Sequence, residues 1–154
     1  MEHPVDIGDR TTLAVMLVLR ELGLGVLVPY GENVRYDLVI DDGTKLQKVQ
    51  CKTGRLRAGA VVWRVCSTYG HHPNPREVRR TYVGQVDYFG VYCPETGGVY
   101  LIPIGDLGVK NSGRLRVDPP RNNQRKGIRY ASEYEIGRVH LHAPDSVQRL
   151  GRVD

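Results

Sequence analysis

The feature that most restricts the fold is a pair of β-type runs around one turn signal. Arg35-Tyr36-Asp37-Leu38-Val39-Ile40 leads into Asp41-Asp42-Gly43-Thr44, and Lys45 to Lys52 returns as Lys-Leu-Gln-Lys-Val-Gln-Cys-Lys. Asp-Gly between two such runs is a strong hairpin signal. In a strand, residues two apart share a face, so Gln50 and Lys52 point one way and Cys51 the other. A two-residue turn at Asp42-Gly43 sets Asp41 opposite Thr44 and Asp37 opposite Lys48. Asp37 then shares its face with Lys48, Gln50 and Lys52. A register slip of one residue would destroy that grouping. The apolar neighbours Leu38, Val39, Ile40 and Val49 make these core strands. A carboxylate, an amide and an ammonium at the edge of a core are costly to desolvate and need a reason to be there. The ordinary alternative is a surface Asp–Lys pair contributing about 0–1 kcal/mol.

Around this hairpin the chain reads as one helix followed by strands. Residues 9–22 are apolar nearly all round and predict a well-buried helix, with Gly8-Asp9 at its start and Gly23 at its stop. Gly25 to Pro29, Ala60 to Cys66, Tyr88 to Cys93 and Val99 to Pro103 predict strands, the last two as a hairpin around Pro-Glu-Thr-Gly-Gly. Residues 67–81 predict a loop or short helix, and 131–136 a short helix. One helix and a run of adjacent strands imply an α/β (α+β) fold, a mixed central sheet flanked by helices. At 154 residues this is one domain, with a core at about 8–136 and a C-terminal tail at 137–154.

Composition narrows the class of partner. The longest apolar run, Leu13 to Leu19, ends at Arg20 and is far short of the ~20 residues that span a membrane. The first residues lack a signal-peptide pattern, and Cys51, Cys66 and Cys93 form no Cys-x-x-Cys pair, so a reduced, cytoplasmic setting is expected. The net charge is +5, and 17 of the 22 basic residues are Arg. The guanidinium fork suits phosphate, although a GC-rich genome or a heat-adapted host would bias composition the same way. Two segments concentrate the charge. Lys110 to Arg129 holds seven basic residues against one acid, with Arg121, Asn122, Asn123, Gln124, Arg125 and Lys126 in succession. His71, His72, Arg76, Arg79 and Arg80 form the other. Such side chains contact phosphates, sugars or base edges, whereas most charge runs are simply solvated surface. His71 and His72 lack a third ligand at metal-binding spacing and belong with the phosphate contacts. Arg35, Lys48 and Arg55, flanking the hairpin motif, complete the candidate DNA-binding set.

The ordered set Arg35–Ile40 and Val49-Gln50-Cys51-Lys52-Thr53 resembles the core of the PD-(D/E)XK nuclease superfamily. The flanks Val28-Pro29-Tyr30-Gly31-Glu32-Asn33, Gln85-Val86-Asp87-Tyr88-Phe89, Tyr100-Leu101-Ile102-Pro103 and Arg121–Gln124 resemble its group I intron homing endonuclease branch. Archaeal-type Holliday junction resolvases are more distant relatives. The likeness implies a restriction-endonuclease-like core and metal-dependent hydrolysis of DNA phosphodiesters. It implies Asp37 as metal-binding acid, Gln50 in the place of the usual second acid, and Lys52 as the catalytic amine. Cys51 would offer only its backbone carbonyl. Mg²⁺, with Mn²⁺ able to substitute, is the implied cofactor, and oxygen donors suit it. The superfamily usually draws a further acid from its first helix. That register is Thr12 here, and Asp9 is the nearest acid, readable either as a metal ligand or as a helix N-cap. The implied partner is double-stranded or branched DNA, bound by a homodimer or homotetramer associated with the nucleoid. A resolvase and a DNA-binding module without cleavage remain the alternatives.

Overall fold

The computed structural model describes residues 2–69, 78–107 and 112–140. Helix α1 runs over Pro4–Glu21, five residues earlier than residue 9. Pro4 stands at its first position and the His3 side chain caps it, accepting from the Val5 N–H at 3.3 Å. Proline suits that position because its missing N–H would be unpaired there anyway. Gly8 is thus inside the helix, and Asp9 is an exposed residue of its second turn rather than its cap. Nor is α1 buried all round. Ala14, Val15, Val18 and Leu19 face the sheet, but Leu13 is 61% and Leu17 47% exposed.

Eleven strands follow among the described residues: β1 (Gly25–Leu27), β2 (Leu38–Asp41), β3 (Leu46–Thr53), β4 (Arg55–Arg57), β5 (Ala60–Arg64), β6 (Cys66–Tyr69), β7 (Val78–Thr81), β8 (Tyr88–Tyr92), β9 (Gly98–Pro103), β10 (Ser112–Arg116) and β11 (Glu135–Arg138). One short helix, α2 (Ala131–Tyr134), precedes β11. The main sheet has the order β1-β2-β3-β8-β9-β11. It is mixed, because β3 and β8 run parallel while every other neighbouring pair is antiparallel. β10, β5 and β4 form a second sheet, and β6 pairs with β7. The expected loop at 67–81 therefore carries strand at both ends, and β4, β10 and β11 arise where no strand is expected from the sequence.

The two faces of the main sheet feed two cores, with β8 and β9 contributing to both. Val49 and Cys51 lie under α1 with Leu38, Ile40 and Val99. On the other side, Phe89, Val91, Tyr100 and Ile102 pack against Val61, Trp63, Tyr82 and Leu115. Gly90 in β8, the partner of Cys51, lets α1 approach closely, since a Cβ there would stand 3.0 Å from Val15.

The β2–β3 turn differs from the expected one. Asp41 pairs with Leu46, not Thr44, leaving residues 42–45 as the loop. The reason is side-chain capping. Asp41 Oδ1 accepts from the Gly43 N–H, and Asp42 Oδ1 accepts from the Thr44 N–H, the Thr44 hydroxyl and the Lys45 N–H at 2.7–2.9 Å. These bonds hold the Asp42 carboxyl down at about 2. A depressed carboxyl stabilises the fold above its unfolded pKa, and that contribution is lost as pH falls toward 2. Asp42→Ala is therefore expected to lower the melting temperature at pH 7, with the gap to the parent chain closing at about pH 2. Thermal scans across that range check it.

Candidate active site

The register places the motif. Leu38 pairs with Val49 and Val39 with Lys48, and Asp37 lies just before β2. Two hydrogen bonds tie Asp37 to β3: its N–H donates to the Val49 carbonyl at 2.9 Å, and the Cys51 N–H donates to Asp37 Oδ2 at 2.9 Å. The expected partner, Lys48, faces Val39 instead. The Asp37 carboxylate thus lies against the Gln50-Cys51-Lys52 segment, near enough to Lys52 to feel its charge. Burial pushes the Asp37 carboxyl up, while the Cys51 N–H and the Lys52 charge pull it back in part. Asp37 Oδ1 has no hydrogen-bond donor among the described residues.

Gln50 Nε2 reaches the Cys51 carbonyl at 3.4 Å. The Cys51 thiol itself is buried toward α1, beside the Thr12 hydroxyl. Burial and the Asp37 charge drive it far above the ordinary thiol range, so it stays protonated. Lys52 Nζ donates to the Tyr82 hydroxyl at 3.3 Å and stands 4.9 Å from that ring's centroid. The Arg35 guanidinium lies 4.0 Å from the same centroid, and its Nε donates to Gln85 Oε1 at 2.6 Å. Lys48 is exposed; its ammonium is 5.5 Å from the Tyr36 ring and its backbone is pinned by Asp87. No sequence pattern points to Tyr82 or Gln85 as site residues, although Gln85 lies in one of the matched flanks.

Asp9 is exposed on α1, and the register where an acid would be expected is held by Thr12, whose hydroxyl donates to the Gly8 carbonyl at 3.2 Å. The neighbouring Thr11 hydroxyl bonds Thr53 across to β3 at 2.6 Å. Among the described residues there is no group of three or more His, Cys, Asp or Glu able to hold a metal. What converges instead is one carboxylate, one amide and one main-chain carbonyl. These oxygen donors fit a hard cation such as Mg²⁺ rather than zinc. A half-turn of the Gln50 amide would present Oε1 in place of Nε2.

The basic segment at 121–126 is concave. Arg121, Asn122, Gln124 and Lys126 join Arg114 and Arg129 around a pocket of about 780 Å³. Arg116 also lines it but is committed to carbonyls of Ala58, Asp118 and Pro119. Arg125 is exposed outside that lining, and Asn123 adopts a left-handed backbone with φ of 53°. Arg55, on β4, lies 4.0 Å from Glu95. Arg79 and Arg80 fall on β7. His71, His72 and Arg76 lie outside the described residues.

A mixed sheet whose central hairpin presents Asp37 beside Gln50 and Lys52, covered by α1, has the restriction-endonuclease-like architecture of nucleases. A family model, PD-(D/E)XK endonuclease, matches residues 2–137, and the chain belongs to that family. Among solved structures, a bacterial homing endonuclease, I-Ssp6803I, is similar with a TM-score of 0.72 and 25% sequence identity. The match covers 87% of this chain and 89% of that one. No curated protein matches the chain in sequence. No described helix is long and apolar enough to cross a membrane.

Proposed function

We propose that the chain is a metal-dependent DNA endonuclease of the homing type, acting through Asp37, Gln50 and Lys52. The observation that carries this reading is the Cys51 N–H to Asp37 Oδ2 bond, which ties the carboxylate to the centre of the Gln-Cys-Lys segment. Asp37, the Gln50 amide oxygen and the Cys51 carbonyl would hold Mg²⁺ or Mn²⁺; Asp9 stands apart on the exposed side of α1 as a weaker candidate. The cation would supply charge neutralisation at the scissile phosphate and acidify water there. Lys52 orients the attacking water and faces the negative charge that builds on the phosphoryl oxygens. Water adds to phosphorus and gives up a proton to solvent, the P–O bond to the leaving group breaks, and the leaving oxygen takes a proton from solvent. Cutting both strands needs two such sites, so a homodimer or homotetramer is the expected assembly.

Thr12 in the acid register favours a second reading, a DNA-binding module with slow or absent cleavage. Plasmid and a four-way junction, each incubated with Mg²⁺, Mn²⁺ or chelator, separate the readings. Metal-dependent plasmid cutting supports the endonuclease, junction-only nicking a resolvase, and binding without cutting the inert module.

The concave basic loop would grip the DNA backbone. Arg121→Ala and Lys126→Ala are each expected to lessen the slope of log affinity against log salt by roughly 0.9 for every phosphate the variant no longer neutralises. Salt-titrated binding in chelator measures it, and Arg125→Ala should change the slope less.

A further inference from the structure

We propose that Tyr82 is the positioning residue for Lys52, its buried ring and hydroxyl holding the ammonium on the Asp37–Gln50 face before substrate arrives. The inference rests on the reading of Lys52 as the catalytic amine. Tyr82 is itself held fast. It is 5% exposed, and its ring meets Phe89 edge to face, with centroids 5.6 Å apart and planes at 82°. Its carbonyl accepts from the Gln85 and Val86 N–H groups at 3.0 and 3.3 Å, which fixes the backbone in a turn leading into β8.

Against this rigid ring Lys52 gains two restraints. Its ammonium donates to the hydroxyl, and it lies within cation–π range of the ring. A lysine can only donate, so the hydroxyl oxygen is the acceptor. A lysine stem has four rotatable bonds and is otherwise mobile, so a pre-formed restraint spares the ordering cost at the moment of reaction. Phe would pack on Phe89 equally well. The hydroxyl is therefore explained by Lys52 and not by the core. Arg35 shares the ring at 4.0 Å.

The test has two arms. In the first, the lysines are reductively methylated with ¹³C, and the Lys52 methyl resonance is assigned by its loss in Lys52→Arg. Ring current should displace it upfield in the parent chain and in Tyr82→Phe, with the displacement lost in Tyr82→Leu. In the second, single-turnover cleavage should fall about 3–10-fold in Tyr82→Phe, the effect of one net hydrogen bond. Tyr82→Leu should lose about a further tenfold. DNA affinity in chelator should stay within about twofold in both. An undisplaced Lys52 resonance in the parent chain overturns the inference. So does wild-type cleavage by both Tyr82 variants when Lys52→Ala is inert, and this leaves the proposed function standing. Wild-type cleavage by Lys52→Ala overturns both. Tyr82→Phe, nearly isosteric, keeps the test valid if Tyr82→Leu does not fold.

Discussion

Asp37→Ala and Lys52→Ala are each expected to reduce DNA cleavage by at least about 10²–10³-fold, the usual effect of deleting one preorganised charge at a transition state. DNA affinity in chelator should change little, since neither belongs to the basic loop. The two losses differ in kind. Removing Lys52 takes away an ammonium that the Tyr82 hydroxyl already holds at 3.3 Å, leaving the strand pairing intact. Removing Asp37 also frees the Cys51 N–H, whose acceptor is the Asp37 carboxylate. Asp37→Asn separates the two roles. Its amide oxygen can still accept from Cys51, but the charge is gone. Burial already pushes the Asp37 carboxyl up, because the ionised form is poorly solvated there. Asp37→Asn is therefore expected to be as inert as Asp37→Ala, yet to melt no lower than the parent chain at pH 7–8 without metal. Gel cleavage assays beside thermal scans decide it. Parent-level cutting by any of the three variants would overturn the site assignment.

Leu38→Ala is expected to be the most damaging truncation near the site. Leu38 is fully buried, immediately follows Asp37 and pairs with Val49. It packs in the core that joins α1 to the sheet. Emptying such a position costs about 2–5 kcal/mol, transfer and cavity together. For a chain of this size that is roughly 5–15 °C in melting temperature. Urea unfolding should show a lower midpoint with unchanged slope, as expected when stability alone is altered. Cleavage below the melting temperature should also weaken, because the Leu38–Val49 pair holds the register that sets the Asp37 carboxylate on the Cys51 N–H. Leu38→Met, which nearly conserves volume, should cost under about 1.5 kcal/mol and restore most cleavage. Equal losses from both substitutions would show that shape at this position, not burial, governs the site.

The alternation of Gln50, Cys51 and Lys52 along β3 is legible in the sequence because strand geometry repeats every two residues. The Asp42-Gly43 signal predicts a loop two residues shorter than the one that forms, since nothing local says that the Asp41 and Asp42 side chains cap a longer one. An even error preserves faces, so Gln50 and Lys52 stay together, and the Cys51 N–H holds the Asp37 carboxylate against that segment. The helix start departs from expectation for a different reason. Gly8 suggests a boundary, but Pro4 and the His3 cap begin the helix earlier, and Asp9 then sits on an exposed turn. The uniform burial expected for that helix fails because apolar identity says nothing of which side meets the sheet. Leu13 and Leu17 turn outward while Val15 and Leu19 turn in.

From the amino-acid order alone came the mixed α/β class, the hairpin, the motif face and the basic character of residues 121–126. These rest on local rules: side-chain alternation, turn chemistry and charge density. Only tertiary packing decided that Tyr82 stands against Lys52 thirty residues away, that β8 lies parallel to β3, and that β11 closes the sheet beside β9. Likewise, only the folded chain bends the basic loop over β10 into a concave surface with Arg114 and Arg129. Such contacts depend on which buried surfaces find each other across the whole chain, and no periodicity within a single segment encodes that choice.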